Sequence, residues 1–398
     1  MVTVTHSRPG RRRGRPAEAS EHTQSRAVVT GSAHAVPPVM RQDALWEGYF
    51  AEHYANNRVA ARVWRTAGIE LRHGVVDPTT EDISGLGTGA RMERYVAEAL
   101  PLGAQAVASA LSGAGLSAAD VGMFTAVSCT GYATPGLDIL LARDLGMDTG
   151  VQRLFVGHMG CYAALPGLGA VSDFVVARRR PAVLLCLELT SLHLQPPSST
   201  SRSASPTPSD LQQMVAHALF SDAAAAVVIE PGQARSTADG LEVTGADGSV
   251  PTSGLEVVDV VACTDTSTSE LMTWDVTDLG FRMGLSPQVP EVLSRHVLGV
   301  VTGLLGRHGV AIDEVAGWAV HPGGRRILEV AQERLGLSDD AMRPSYDVLR
   351  NYGNCSSATV LLVLEQLRQQ QSLAPGDPVV AMAFGPGLTL YATLLRAV

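Results

Sequence analysis

One local pattern recurs along this chain and limits what it can fold into. A short, wholly apolar run leads into a turn of small residues, and a helix-like stretch follows. It appears in FVGHMGCYAALPGL (155–168), again in WAVHPGGRRIL (318–328), and again where NYGNC (351–355) opens onto SSATVLLVL (356–364). Apolar runs of this length, bounded by glycine or proline, suit buried strands better than helices. Strands that alternate with helices define an α/β protein with largely parallel pairing. The recurrence in both halves of the 398-residue chain predicts two similar α/β halves, although no close sequence repeat links them.

The same reading places the other elements. Helices are expected over 43–57, where Leu45, Trp46, Tyr49, Phe50 and Tyr54 share one face, and over 97–113, 135–145, 162–178, 290–308, 325–335 and 356–371. Strands are expected over 121–128, 154–157, 181–187, 223–229, 240–244, 315–320, 378–384 and 388–395. Residues 195–209 (QPPSSTSRSASPTPS) read as a surface insertion or flexible flap. Residues 1–37 read as a disordered, arginine-rich leader, 38–235 as the first half and 236–398 as the second.

Charge narrows the classes of function. The net charge is −9, and residues 1–27 carry six arginines against Glu18 and Glu21, so the body is more acidic than the total. An acidic body excludes nucleic acid as the main partner. The chain has no lysine, which removes Schiff-base chemistry and the P-loop lysine. No apolar run reaches the length of a bilayer span, and the stretch after Arg13 is too polar for an export signal. Five cysteines, odd in number and without CxxC spacing, argue against a disulfide framework or a metal site and fit a reducing cytoplasm.

Three residues stand on the recurrent turns. Cys161 follows Gly160 at the start of a helix, where the dipole favours thiolate and glycine permits a sharp elbow. Taken alone, it is equally well a small buried hydrophobe. His321 ends an apolar strand before Pro322-Gly323-Gly324; alone it reads more simply as a structural histidine. Asn354 follows Gly353 and alone reads as a helix N-cap. Together they compose a Cys-His-Asn set in which histidine holds the thiolate as an ion pair. Histidine and asparagine then donate to a thioester oxygen.

From about residue 38 to its end the chain resembles the type III polyketide synthases, the chalcone-synthase-like branch of the thiolase superfamily. The landmarks are SCTGYATPGLD (128–138), GHMGCYAALPGL (157–168), LELTS (187–191), ALFSDAAAAVVI (218–229), HPGGRRIL (321–328), YGNCSSATVLLVLE (352–365) and AFGPGLTLY (383–391). The resemblance implies a thiolase-like fold in αβαβα layers and a homodimer. It also implies CoA-thioester substrates without a metal or other cofactor. Cys161 matches the thiolate that carries the starter acyl group. His321 and Asn354 match the pair that polarises a malonyl thioester for decarboxylation. Phe220 matches a gatekeeper between CoA tunnel and cavity. Thr130, in the first landmark, and Ser356 match positions lining the cavity, and Gly385, Pro386 and Gly387 match the loop that shapes its floor.

Departures from the family pattern carry information. Met283 stands where plant enzymes have a second phenylalanine, and His193 where many relatives have a small residue. ALFSD replaces ALFGD, and the 195–209 insertion is longer than typical. The lysines that bind CoA phosphates are absent, leaving Arg62, Arg65 and Arg72 as stand-ins. An acyl carrier protein as starter donor stays open. CTGYATPG resembles bacterial enzymes primed by fatty acyl groups. The expected product is therefore an alkyl α-pyrone or alkylresorcinol, with a malonyl-primed tetrahydroxynaphthalene synthase as the alternative. A ketoacyl-ACP synthase of the third type shares the set but shows HQAN and NTSAA where this chain has HPGG and GNCSSA.

Overall fold

The computed structural model describes residues 25–203, 205–237, 240–244 and 254–398. In the first half, β1 (Ser25–Ala35) and the short β2 (Val39–Arg41) precede a helical run of α1 (Gln42–Leu45), a π-turn (Trp46–Phe50) and α2 (Ala51–His53). Next come α3 (Arg58–Thr66), β3 (Leu71–His73), α4 (Thr88–Gly113), β4 (Met123–Val127), α5 (Leu137–Asp144) and β5 (Gln152–Val156). Then α6 (Ala164–Arg178), β6 (Ala182–Glu188), α7 (Pro208–Leu219), β7 (Ala223–Thr237) and β8 (Gly240–Thr244) complete it. The second half holds β9 (Leu255–Thr264), β10 (Met272–Thr277), β11 (Gly280–Leu285), α8 (Val289–Gly306) and β12 (Gly317–Val320). It closes with α9 (Arg325–Leu335), α10 (Asp339–Tyr352), α11 (Ala358–Gln370), β13 (Pro378–Gly385) and β14 (Thr389–Ala397).

The two halves repeat one strand plan. The main sheet runs β12-β13-β14-β9-β1-β7-β6-β4-β5. In each half the first strand (β1 or β9) is innermost, β7 or β14 lies beside it, and the strand before that in sequence (β6 or β13) comes next; β8 pairs with β7 off this path. The halves meet where β1 and β9 pair antiparallel through Val28↔Glu256 and Val29↔Leu255. Pairing is mixed rather than largely parallel. β4 is parallel to β5 and β6, and β12 to β13, whereas the β1–β7, β6–β7, β9–β14 and β13–β14 pairs are antiparallel. The link from β13 to β14 shows why: Pro386, Gly387 and Leu388 suffice for a hairpin, while a parallel crossover needs a dozen or so residues.

Two helices fill the middle. α6 and α11 each touch strands of both halves, whereas α4 and α5 cover the outer face of the first half, and α8 that of the second. The stretch Gly160–Arg178 is long and apolar enough to cross a bilayer by composition. Its place is this middle layer, where Leu165, Leu168, Val171 and Val175 are buried. Ser172 and Asp173 interrupt its apolar residues, and the helix belongs to the core.

The leader expectation is also corrected. Residues 1–24 lie outside the described residues, but Ser25–Ala35 is a strand paired with β7, not a disordered tail. Its run of Ser, Thr, Gly and Ala has little apolar signal of its own, and tertiary pairing makes it a strand. Arg26, counted with the basic leader, forms an ion pair with Glu256 on β9 at 2.6 Å. The expected boundary at 235/236 falls within β7, and the strand plan restarts at β9. Residues 195–209 do not form one uniform flap. Ser198 donates to Asp210 at 2.5 Å, Asn57 Nδ2 donates to the Ser203 carbonyl, and a reciprocal Thr207–Asp210 cap starts α7.

Packing of β1 on α4 gives a test of its core role. At Gly31 an added Cβ would lie 2.3 Å from the Ala110 carbonyl oxygen, which is backbone and cannot swing aside. Gly31→Val is expected to lower stability by about 3 kcal/mol, at the upper end of overpacking costs, read as a lower urea midpoint. An unchanged midpoint would remove β1 from the core.

Candidate active site

Cys161, His321 and Asn354 come from three separate turns and line one cavity of about 430 Å³. Their residues are 4%, 0% and 2% exposed. Cys161 sits in a single 3-10 turn, Gly160–Tyr162, that feeds α6. Gly160 has φ +74°, and a Cβ there would lie 2.8 Å from Pro386 Cδ, so both conformation and space require glycine. Gly385 faces the same turn: a Cβ on it would lie 2.9 Å from the Tyr162 ring and 3.3 Å from the Cys161 nitrogen. Gly387 has φ +129°.

His321 follows β12, and its backbone N–H donates to the Met382 carbonyl at 2.8 Å. Its ring meets Phe384 edge-on at 5.7 Å. Neither ring nitrogen has a hydrogen-bond partner among the described residues. Asn354 follows Gly353, which has φ +72°. It is not the N-cap of α11, which starts after Ser357. Instead Asn354 Oδ1 accepts from the Ser356 N–H at 2.9 Å, and Nδ2 donates to the Gly323 carbonyl at 3.4 Å.

Electrostatics correct one expectation. The helix start does not make Cys161 a ready thiolate. Burial pushes its thiol up to about 12, against smaller opposing hydrogen bonds from Ser356 and Asn354. Burial also drives the His321 imidazole down to about 3. Burial thus favours the neutral form of both groups over the expected ion pair. Iodoacetamide alkylation of Cys161 should then accelerate steadily from pH 7 to pH 10, as the thiolate fraction grows. A rate already flat at neutral pH, and made pH-dependent by His321→Ala, would restore the ion pair.

A second chamber of about 120 Å³ lies behind Cys161, lined by Cys129, Thr130, His158, Ser356, Pro386, Met272, Met283 and Trp274 among others. Phe220 and Met283 line both spaces, at the boundary expected of a gate; Met272, which the sequence reading missed, joins them. Trp274 was also missed: its indole donates to the Cys129 carbonyl at 2.7 Å and occupies the chamber wall. Only the β10–β11 hairpin brings it there. Ser356, with φ +49°, and Thr130 are where expected. The Thr130 hydroxyl is already used, donating to Glu188 at 2.8 Å and accepting from the Leu189 N–H at 2.9 Å.

Glu188 was quoted within LELTS without a role. It is fully buried and accepts from the Cys129 N–H, the Thr130 hydroxyl and, at 2.5 Å, the Ser357 hydroxyl. Burial pushes its carboxyl up, while these bonds pull it back down. It thus ties the chamber loops of the first half to the turn that carries Asn354.

Two expectations about polar residues change. His193 does not line the chamber that holds Cys161. Its Nε2–H donates to the Thr130 carbonyl at 2.7 Å, its Nδ1 accepts from the Phe281 N–H at 3.0 Å, and its ring stacks on Phe281 at 4.5 Å. It borders a separate space of about 70 Å³ on the far side of Trp274. Burial holds its imidazole neutral, down to about 4. Arg72 is not an exposed site for phosphates: it is half-buried, and desolvation lowers its guanidinium to about 10. Its donors go to the His217 and Phe220 carbonyls. Arg62 and Arg65 are exposed on α3, whose Val63 and Thr66, with Ala67 just beyond its end, line the cavity. Arg325 and Arg326, which sequence reading passed over, line it as well.

A repeated α/β plan with a cysteine and an asparagine at the two central helix starts, and a histidine between them, defines a condensing enzyme of the thiolase-like class. Family models for the chalcone and stilbene synthases match residues 17–233 with the N-terminal domain and 263–398 with the C-terminal domain. The chain belongs to this family, the type III polyketide synthases, acyl-transferring condensing enzymes. It is 34% identical over 344 residues to 1,3,6,8-tetrahydroxynaphthalene synthase of Streptomyces peucetius subsp. caesius, covering 86% of this chain and 84% of that one. It is 30% identical to the alpha-pyrone synthesis polyketide synthase-like Pks18 of Mycobacterium tuberculosis, covering 84% and 81%. Among solved structures, PKS-I of the brown alga Ectocarpus siliculosus superposes with a TM-score of 0.80 at 28% identity, covering 95% and 100%. The tetrahydroxynaphthalene synthase of Streptomyces coelicolor gives 0.80 at 25%, covering 93% and 99%.

Proposed function

We propose that this polyketide synthase extends a short aliphatic acyl starter, held on Cys161, with malonyl-type units and releases an alkyl α-pyrone. The observation that carries this reading is the size and lining of the chamber behind Cys161: about 120 Å³, walled by Met272, Met283 and Trp274. Apolar walls suit an alkyl chain, and methionines adapt to its shape. A small space favours the triketide lactone, which needs two extensions, over products that need more.

The chemistry runs through three side chains. As the Cys161 sulfur attacks the starter thioester, its proton passes to His321, whose ring nitrogens are otherwise unpartnered. The departing CoA thiolate then takes that proton. Malonyl thioester binds next, with its carbonyl oxygen accepting from His321 and Asn354 Nδ2. Loss of CO2 leaves its electron pair as an enolate, which attacks the Cys161 thioester and frees the cysteine for another round. In the last step an enol oxygen closes onto the thioester carbonyl, and the sulfur leaves. No metal or other cofactor enters this scheme. Substrates arrive as CoA thioesters, or on an acyl carrier protein, past Arg62, Arg65, Arg325 and Arg326.

The test is mass spectrometry of products made from malonyl-CoA with a panel of acyl-CoA and acyl-ACP starters. Pyrones whose mass tracks a short starter are expected, with Cys161→Ala abolishing product while leaving part of the malonyl decarboxylation. The Streptomyces relative at 34% identity supports a second reading, and 1,3,6,8-tetrahydroxynaphthalene from malonyl-CoA alone would establish it.

The protein is further read as a cytoplasmic homodimer. β5 is the last strand of the sheet, Gln152–Phe155 along it are exposed, and Leu154, Phe155 and Tyr132 are among the exposed large apolar residues. An uncovered apolar edge strand calls for a partner strand, and a second copy supplies one. Light scattering should give twice the chain mass, and Phe155→Asp should shift the protein towards monomer.

A further inference from the structure

The last carbonyls of a helix have no partner within it. At the end of α7 every one of the four consecutive carbonyls from His217 to Phe220 is taken from outside. Arg72 Nη1 donates to His217 at 2.6 Å, and Gln42 Nε2 donates to Ala218 at 2.9 Å. The Asn354 backbone N–H donates to Leu219 at 2.9 Å, and Arg72 Nη2 donates to Phe220. The strap is reciprocal, since the Ser221 N–H donates to the Asn354 carbonyl at 3.0 Å. Phe220 and Asn354 thereby form a parallel bridge between the gate and the catalytic turn.

Arg72 is the centre of this clasp. It forms no ion pair among the described residues, and it sits 5.3 Å over the Trp64 ring. A third bond, from Nη1 to Gln42 Oε1 at 3.3 Å, links it to the other donor of the clasp. The C-terminal end of α7 carries the negative pole of its dipole, which suits a cation there. A flat fork that grips two carbonyls at once is a task for arginine and not for lysine.

We propose that Arg72, with Gln42, is a positioning residue that fixes the Phe220 gate in register with Asn354, and so sets where a growing chain is released. This rests on the malonyl-extending reading above. It gives Arg72 a role in product control in place of the CoA contact expected from sequence.

The experiment compares wild type with Arg72→Lys, Arg72→Met and Gln42→Met. Turnover is expressed per alkylatable Cys161, so that only folded sites are counted. Wild-type turnover of malonyl-CoA is measured first; an inert wild type overturns the functional reading itself. With an active wild type, Arg72→Met should lower kcat about tenfold, as a displaced reacting group does, with the malonyl-CoA KM within about twofold. The product mixture should shift towards early-released chains. Arg72→Lys should recover part of kcat, and Gln42→Met should move the mixture the same way by less. If the arginine variants do not fold, Gln42→Met decides alone. A product mixture and kcat per folded site unchanged from wild type would make the clasp purely structural and overturn the proposal.

Discussion

The constraint on which this molecule depends is the burial of two helices, α6 and α11, between two copies of one strand plan. Each touches strands of both halves. Each begins at a turn that must be sharp, because the preceding chain arrives from a packed region and the helix starts at once. Gly160 and Gly353, both at positive φ, make those turns. The residues just past them are therefore brought to the same level of the molecule from opposite halves. Cys161 and Asn354 meet for that reason, and β12 delivers His321 to the same cavity.

Burial has an electrostatic consequence. Burial in the cavity wall penalises charge and favours the neutral thiol and imidazole. In the proposed mechanism charge appears only as the reaction needs it, on an enolate next to Asn354 Nδ2 and the imidazole. The nearby polar groups are held fast in the meantime. Glu188 binds the Cys129–Thr130 loop and Ser357, and His193 has both ring nitrogens engaged. Little in the chamber is left free to solvate a wandering intermediate.

Much of the frame was legible from residue order. α9 occurs over the expected residues, and β6, α11 and β13 differ from expectation by a residue or two. Their signals are local: long apolar runs, glycines at turns, helical spacing. β1 was not legible, because Ser25–Ala35 has a weak strand pattern and is a strand through its partners. α7 was missed beneath its proline- and serine-rich approach, although the Thr207–Asp210 cap is a local signal that marks its start. The β10–β11 hairpin was missed as well, and with it Trp274 and Met272.

What the sequence determined by itself is the set of chemical groups and their turns: Cys161 and His321 after short apolar runs, and Asn354, which follows α10 and not a strand, directly after Gly353. Such choices depend on backbone conformation within a few residues, and that is written locally. Tertiary structure decided the rest. It made Arg72 a clasp instead of a phosphate ligand, since the end of α7, far along the chain, places two carbonyls around it. It also set the chamber size through Trp274, whose position depends on a hairpin more than a hundred residues from Cys161. Cavity shape is the sum of side chains from distant segments, and no local pattern records it.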